Sequence, residues 1–174
     1  MANKSNSIII ASVLVGLYSI HLLVNYFSST ESIKSTLDNK YYTVKKGKNS
    51  QKAADLLATI NKNTLTLIQN LKTDPKFQKN TINLQRRYNK DSLVENLDPQ
   101  STSFSINKGQ TVSMCLASRN PENSELYDIN LLMFVAIHEL AHIGCDEIGH
   151  GTEFRSFFKF LLQEAMRVGV YKYE

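Results

Sequence analysis

The segment Ile129–Ile143 constrains the fold of this 174-residue chain more than any other part. It is mostly apolar, Asp128 or Ser124 can cap its start, and Gly144 can end it, so it predicts a buried helix. Within it, the run His138-Glu-Leu-Ala-His142 places two histidines four residues apart, on one face of a helix. A buried helix tolerates such polar groups only when they are satisfied together. The pattern therefore predicts a core helix whose polar side chains share a partner.

This spacing is typical of a zinc site. The imidazoles of His138 and His142 can both reach one Zn²⁺ at about 2.0–2.1 Å. Glu139 lies beside them and can take a proton from a zinc-activated water without binding the metal, as a general base. A catalytic zinc usually has three protein ligands and one open position. We expect His150 to be the third ligand, because the flanking Gly149 and Gly151 let the loop turn back toward the metal.

Four other residues compete with His150 for the third position. Glu147 is the runner-up, since a glutamate from a loop or second helix completes many zinc sites. The others are Asp146, Glu153 and the thiolate of Cys145. His150 is favoured because it and the two helix histidines all fall within 13 consecutive residues.

Residues 8–27 form an uncharged, mostly apolar run, and a helix needs roughly 20 such residues to cross a bilayer. The run is long for a signal peptide and no A-x-A site follows it, so we predict an uncleaved transmembrane helix. More lysines follow the run than precede it, which favours a single-pass protein with its domain on the cytoplasmic side of a host-cell or virion membrane. The expected order is a short tail (1–7), this helix, a juxtamembrane linker (28–50) and one domain (51–174).

The domain pattern predicts an α+β fold. Helical spacing of apolar residues predicts three helices besides the central one. They cover residues 51–72, 76–90 and 152–168. Alternation over Thr102–Ile106 and Thr111–Leu116, on either side of a turn cluster at Asn107-Lys108-Gly109, predicts a β-hairpin. Residues 91–100 are expected to form a loop.

Charge divides the chain after the apolar run. Residues 28–110 hold 14 Lys/Arg against 7 Asp/Glu, whereas residues 111–174 hold 5 against 9. A basic half can contact nucleic acid, anionic lipid or an acidic partner. Its charges are scattered rather than packed into one block, so we favour an ordinary solvated surface. A nucleic-acid partner is therefore an alternative, and not the favoured one.

Two groups of residues carry a family resemblance. The pair His138-Glu-Leu-Ala-His142 and Gly149-His150-Gly-Thr-Glu-Phe154 resembles the WLM and SprT-like zinc metalloproteases. The wider pattern, which includes Thr102-Ser-Phe-Ser-Ile-Asn-Lys-Gly109 and Phe160-Leu-Leu-Gln-Glu-Ala165, is similar to WLM-like metalloproteases of giant DNA viruses and algae. The resemblance implies a small zincin-like domain, with His138, His142 and His150 as zinc ligands and Glu139 as the base.

The resemblance implies a membrane-anchored zinc metalloendopeptidase that acts on a protein or peptide substrate. Substrate would bind by strand addition to an edge strand at 111–116, and Tyr171, Tyr173 and Arg155 are candidates for stabilising the oxyanion. Two alternatives belong to other classes. One is a DNA-associated protease of the same family, and the other is a non-enzymatic, membrane-tethered module in which the metal only stabilises the fold.

Overall fold

The computed structural model describes residues 2–98, 100–118 and 125–173, without the side chains of residues 2–7, 11 and 25–28. Over these residues it confirms an α+β fold. The helices are α1 (Ala2–Ser29), α2 (Ser50–Gln69), α3 (Gln78–Arg87), α4 (Ile129–Gly144) and α5 (Thr152–Val168). The strands are β1 (Thr30–Lys34), β2 (Tyr41–Lys45), β3 (Leu93–Glu95), β4 (Phe104–Ile106) and β5 (Thr111–Met114).

The N-terminal helix α1 does not have the properties of the predicted transmembrane helix. Among the described residues, no helix combines the length and the apolarity that crossing a membrane requires. The predicted transmembrane helix over 8–27, the single-pass location and the orientation derived from it are therefore wrong. The prediction rested on the length and mostly apolar character of an uncharged run, whereas the polar side chains within such a run also disfavour transfer into a bilayer. Ser12 and Ser19 lie in the run, and their hydroxyls donate to the carbonyls of Ile8 and Val15 within the helix.

Residues 28–50, which we predicted as a linker, are mostly structured. Strands β1 and β2 pair antiparallel, with Ile33 opposite Tyr42. Tyr42 and Val44 are buried in the core, so this small sheet belongs to the domain. Aromatic and β-branched residues favour such a half-buried strand. This sheet was not predicted because the polar strand β1 carries little apolar signal.

The second sheet has three strands in the order β3-β5-β4. Strands β4 and β5 form the predicted antiparallel hairpin, with Ser105 opposite Val112. Strand β3 pairs parallel to β5 inside the segment 91–100, which we predicted to be a loop. Three residues are too few to show an alternating pattern, so β3 was not predictable from periodicity. Because β5 is the central strand, the prediction that 111–116 is the substrate-binding edge is wrong; β4 is the edge strand nearest the histidines.

Helix α4 forms the centre of the core, as predicted. It begins after Asp128, whose carboxylate accepts a hydrogen bond from the Asn130 N–H at 2.7 Å. Its fully buried side chains include Met133 and Ile137. It packs against α2, α3 and α5 and also touches β4 and β5. In this arrangement, the face of α4 that carries His138 and His142 is directed toward the hairpin of β4 and β5.

The predicted helix over 76–90 is shorter in the structure. A 3₁₀ turn at Pro75–Phe77 begins at Asp74, whose side chain accepts a hydrogen bond from the Lys76 N–H. Helix α3 follows and ends at Arg87. The C-terminal helix α5 covers Thr152–Val168, as predicted, and Gly151 is its cap residue.

Gly144, the last residue of α4, allows a close approach between helices. A Cβ at this position would overlap the ring of Phe157 and lie 3.0 Å from the Asn80 carbonyl oxygen. We expect Gly144→Ala to lower the free energy of unfolding by about 1–3 kcal/mol, as overpacking of a core does. Chemical denaturation measures the change. Gly16→Ala is the matched control, because nothing lies within 4 Å of its added Cβ; equal stability of wild type and Gly144→Ala would contradict this packing.

Candidate metal centre

Helix α4 presents three of the four predicted site residues. His138 and His142 are half-buried, one helical turn apart, and Glu139 is only 5% exposed. The helix is held at both ends, by Asp128 at its start and by the bond from the Cys145 N–H to the Ala141 carbonyl at its end. The two helix histidines and Glu139 therefore lie on an element of the core whose two ends are both hydrogen-bonded.

The loop after α4 brings His150 to the two helix histidines. Gly149 has a φ of +86°, a left-handed conformation that favours glycine. The three Nε2 atoms form a nearly equilateral triangle, with sides of 3.2 Å (His138 to His142), 3.1 Å (His142 to His150) and 3.0 Å (His138 to His150). Ligand atoms 2.0–2.1 Å from a tetrahedral zinc lie about 3.3–3.4 Å apart. The three nitrogens therefore fit one zinc with only small adjustment.

The Phe154 ring supports all three imidazoles. Its centroid lies 4.9 Å from that of His138, 4.3 Å from that of His142 and 4.7 Å from that of His150. Phe154 is 2% exposed and belongs to the first turn of α5. The ring fixes the imidazole orientations from the core side, which leaves their Nε2 atoms toward the open side. Before the structure, Phe154 stood out only as part of the motif that carries the family resemblance.

The two histidines of α4 are in the form that binds metals. Burial lowers the pKa of His142 to about 4, with further contributions from the nearby charges of His138, His150 and Lys108. Burial and the neighbouring His150 also lower the pKa of His138. Both rings are therefore neutral at physiological pH. A neutral imidazole offers a nitrogen lone pair without first losing a proton.

Glu139 is held by the neighbouring edge strand. Burial raises the pKa of its carboxyl group, while hydrogen bonds from the Ser105 hydroxyl and N–H oppose that rise. Ser105 lies in β4, so these bonds connect the carboxylate to the strand that borders the site. A raised pKa makes a carboxylate a stronger base, which suits a group that accepts a proton near neutral pH.

Glu147, the runner-up as third ligand, has a different role. Its carboxylate accepts a hydrogen bond from the Glu153 N–H at 3.1 Å and fills the space above Gly151. It thereby caps the start of α5, where a negative charge is favourable. Among the described residues, the group of His, Cys, Asp and Glu side chains that can hold a metal contains the three histidines alone.

The other competing residues are also engaged elsewhere. Asp146 forms ion pairs with Arg87 and Lys79. Glu153 accepts a hydrogen bond from the Asn80 side chain at 2.7 Å. Cys145 is fully buried, and burial raises the pKa of its thiol to about 11, which disfavours the thiolate that a metal needs.

A cavity of about 490 Å³ opens above the histidine triangle. One wall is the segment 102–108, which includes β4, and the other is formed by α4 and the loop 147–150. Ile148 lies on the rim of this cavity and is 93% exposed. The cavity is open and bordered by an edge strand, as a site for an extended chain requires.

The residues proposed to stabilise an oxyanion do not line this cavity. Tyr171 instead lies near Phe134, with the ring centroids 6.1 Å apart. Arg155 and Tyr173 are likewise absent from the cavity wall. Sequence reasoning missed Ser105 and Lys108, both of which do line it. The signal for Lys108 was its position in the turn cluster before Gly109, which we interpreted as turn chemistry alone.

Comparisons with known proteins find viral relatives. The chain is 33% identical over 151 residues to "Uncharacterized protein R325" of Acanthamoeba polyphaga mimivirus, a match that covers 84% of this chain and 76% of that protein. It is 44% identical over 69 residues to "Uncharacterized protein 136R" of Invertebrate iridescent virus 6, covering 40% of this chain and 38% of the relative. Over the same length it is 39% identical to "Uncharacterized protein 042R" of Invertebrate iridescent virus 3, covering 40% of this chain and 42% of the relative. No family model matches the chain, and no solved structure matches it.

Proposed function

We propose that this chain, which belongs to the same family as uncharacterized protein R325 of Acanthamoeba polyphaga mimivirus, is a zinc-dependent metallopeptidase that hydrolyses peptide bonds. The activity resembles that of the WLM and SprT-like metalloproteases. One observation supports it above the others: three histidine nitrogens 3.0–3.2 Å apart stand next to a buried carboxylate at the base of an open cavity.

The donor set supports zinc as the metal. Three imidazoles and one open position are the usual arrangement of a catalytic zinc, whereas a structural zinc site is closed by four protein ligands. His138, His142 and His150 would hold the ion. When bound, zinc supplies a water of lowered pKa and polarises the carbonyl of the bond to be broken.

Glu139 supplies the proton transfers in this proposal. Its carboxylate accepts a proton from the attacking water and then delivers it to the nitrogen of the leaving amine. The hydrogen bonds from Ser105 hold the carboxylate beside the histidines during both steps. A purely structural metal site has no use for a buried glutamate at this position, so Glu139 favours an enzyme over a metal-stabilised module.

Strand β4 supplies a way to hold the substrate. It is the edge of the three-stranded sheet and lines the cavity through Phe104 and Ser105. An extended peptide that lies along this strand would pass over the histidine triangle. Main-chain hydrogen bonds to an edge strand bind many peptide sequences, so we expect an unfolded polypeptide to be an adequate substrate.

The test is chelator-reversible proteolysis by the full chain. We expect the purified protein to cleave a reduced, unfolded test protein, to lose that activity in 1,10-phenanthroline, and to regain it when zinc is restored. Magnesium serves as the control, because a nitrogen-only donor set does not suit that ion. Cleavage that persists after the metal is removed would contradict the proposal, as would zinc-loaded protein that cleaves nothing.

A further inference from the structure

The turn between β4 and β5 has an uncommon backbone. Asn107, Lys108 and Gly109 follow one another with φ values of +47°, +53° and +99°. Left-handed conformations are unfavourable for residues with a side chain, so packing must compensate for two of the three. At Gly109 an added Cβ would lie 3.1 Å from both the Arg87 carbonyl oxygen and the Ile143 Cδ1. The turn is therefore pressed against the end of α4.

This conformation aims the Lys108 side chain at three backbone carbonyls. Its Nζ donates to the carbonyl oxygens of Cys145 at 2.7 Å, Glu147 at 3.2 Å and His142 at 3.3 Å. An ammonium group has three N–H donors, and here each has one acceptor. The last carbonyls of a helix have no partner within the helix and carry partial negative charge, so a cation at this position is favourable.

The three acceptor carbonyls lie along the chain segment that connects two of the predicted zinc ligands, His142 and His150. The first is the carbonyl of His142 itself, and the last belongs to Glu147, three residues before His150. The Glu147 side chain in turn caps α5 through the Glu153 N–H. One ammonium group thus connects the hairpin, the end of the ligand helix and the loop that carries the third ligand.

We propose that Lys108 is a positioning residue for the metal site. By fixing the loop 145–149 against α4, it holds His150 near His138 and His142 before any metal binds. This inference rests on the proposed zinc site, although it does not depend on peptide hydrolysis. Lys108 has no free N–H donor for substrate, so its role is distinct from stabilising an oxyanion.

Arg87 and Lys79 also contact this segment, but neither connects the three carbonyls that Lys108 binds. Arg87 donates to the Ile143 carbonyl at 3.0 Å and to the Cys145 carbonyl at 3.5 Å, but makes no bond to His142 or Glu147. Lys79 pairs with the Asp146 carboxylate, at 2.9 Å, and its side chain is 76% exposed. Lys79 is therefore a suitable control for the loss of one positive charge near the loop.

The experiment compares zinc affinities of full-length variants by competition with a chromophoric chelator. We expect Lys108→Met to bind zinc about 10–100-fold more weakly than wild type, the effect typical of a lost outer partner of a metal ligand. Lys79→Met should bind within about twofold of wild type, because an exposed ion pair contributes little. Ile60→Val, a buried substitution in α2 away from the cavity, controls for general destabilisation and should also retain its affinity.

The possible outcomes separate this inference from the proposed function. Equal zinc affinity of wild type and Lys108→Met would overturn the proposed role of Lys108 but not the proposed function. Should Lys108→Met not fold, Lys108→Gln provides the same test, because a shorter neutral amide cannot donate to all three carbonyls; wild-type affinity in that variant would again overturn the inference. A wild-type chain that binds no zinc would overturn the proposed function and this inference together.

Discussion

Glu139→Gln is expected to lower the rate of peptide hydrolysis by about 10²–10⁴-fold, the range that a positioned general acid–base group contributes. Glutamine has nearly the same size and keeps an oxygen that can accept a hydrogen bond from Ser105, but it cannot accept the proton of the attacking water. Because Glu139 is not a metal ligand in the proposed site, the variant should keep its zinc. Rates on the unfolded test protein and the zinc content of the same sample measure both effects.

Glu164→Gln is the matched control for this experiment. Glu164 is also buried, at 7% exposure, but its carboxylate binds Arg167 and the Lys72 N–H, away from the cavity. It should retain wild-type activity apart from any loss of stability. Unchanged hydrolysis in Glu139→Gln would exclude Glu139 as the base. If the wild-type protein holds zinc and its function is the same in Glu139→Gln, a non-enzymatic module in which the metal stabilises the fold would be favoured.

His150→Ala is expected to weaken zinc binding by more than the 10–100-fold effect of an outer partner, because it removes one of three ligands. The two histidines of α4 remain, so binding should become weak rather than vanish, and hydrolysis should be lost at limiting zinc. Chelator competition measures the affinity, and circular dichroism of the metal-free protein checks that the fold persists.

Glu147→Gln provides the comparison, since Glu147 was the main rival of His150 as third ligand. Its carboxylate caps α5 in the structure, and a glutamine oxygen can still accept the hydrogen bond from the Glu153 N–H. We expect normal zinc affinity in Glu147→Gln. The opposite pattern, with affinity lost in Glu147→Gln and kept in His150→Ala, would assign the third position to Glu147.

The helix that carries the motif was predictable because its signals are local. Asp128 caps its start, Gly144 is its last residue, and the apolar residues between them recur at helical spacing. The hairpin at 102–116 was predictable for the same reason, since alternation and a turn cluster lie next to each other in the chain. Local signals thus sufficed to give the elements on both sides of the cavity.

The remaining features depend on contacts between distant residues. Strand β3 exists because it pairs with β5, and β4 is the edge strand because β3 lies on the other side of β5. The approach of His150 involves Lys108, which is 34 to 39 residues away from the carbonyls that it binds. The N-terminal run misled the prediction because an uncharged, mostly apolar run of about 20 residues was taken as sufficient evidence for a membrane-spanning helix.

The most direct test of the zinc site is X-ray absorption at the zinc edge on the full-length protein. We expect about one zinc per chain, with three imidazole nitrogens at about 2.0–2.1 Å and a fourth, non-protein light atom. A zinc–sulfur distance of about 2.3 Å would place Cys145 or Cys115 in the site and contradict the three-histidine assignment. A folded chain that takes up no zinc would contradict both the proposed zinc site and the proposed function.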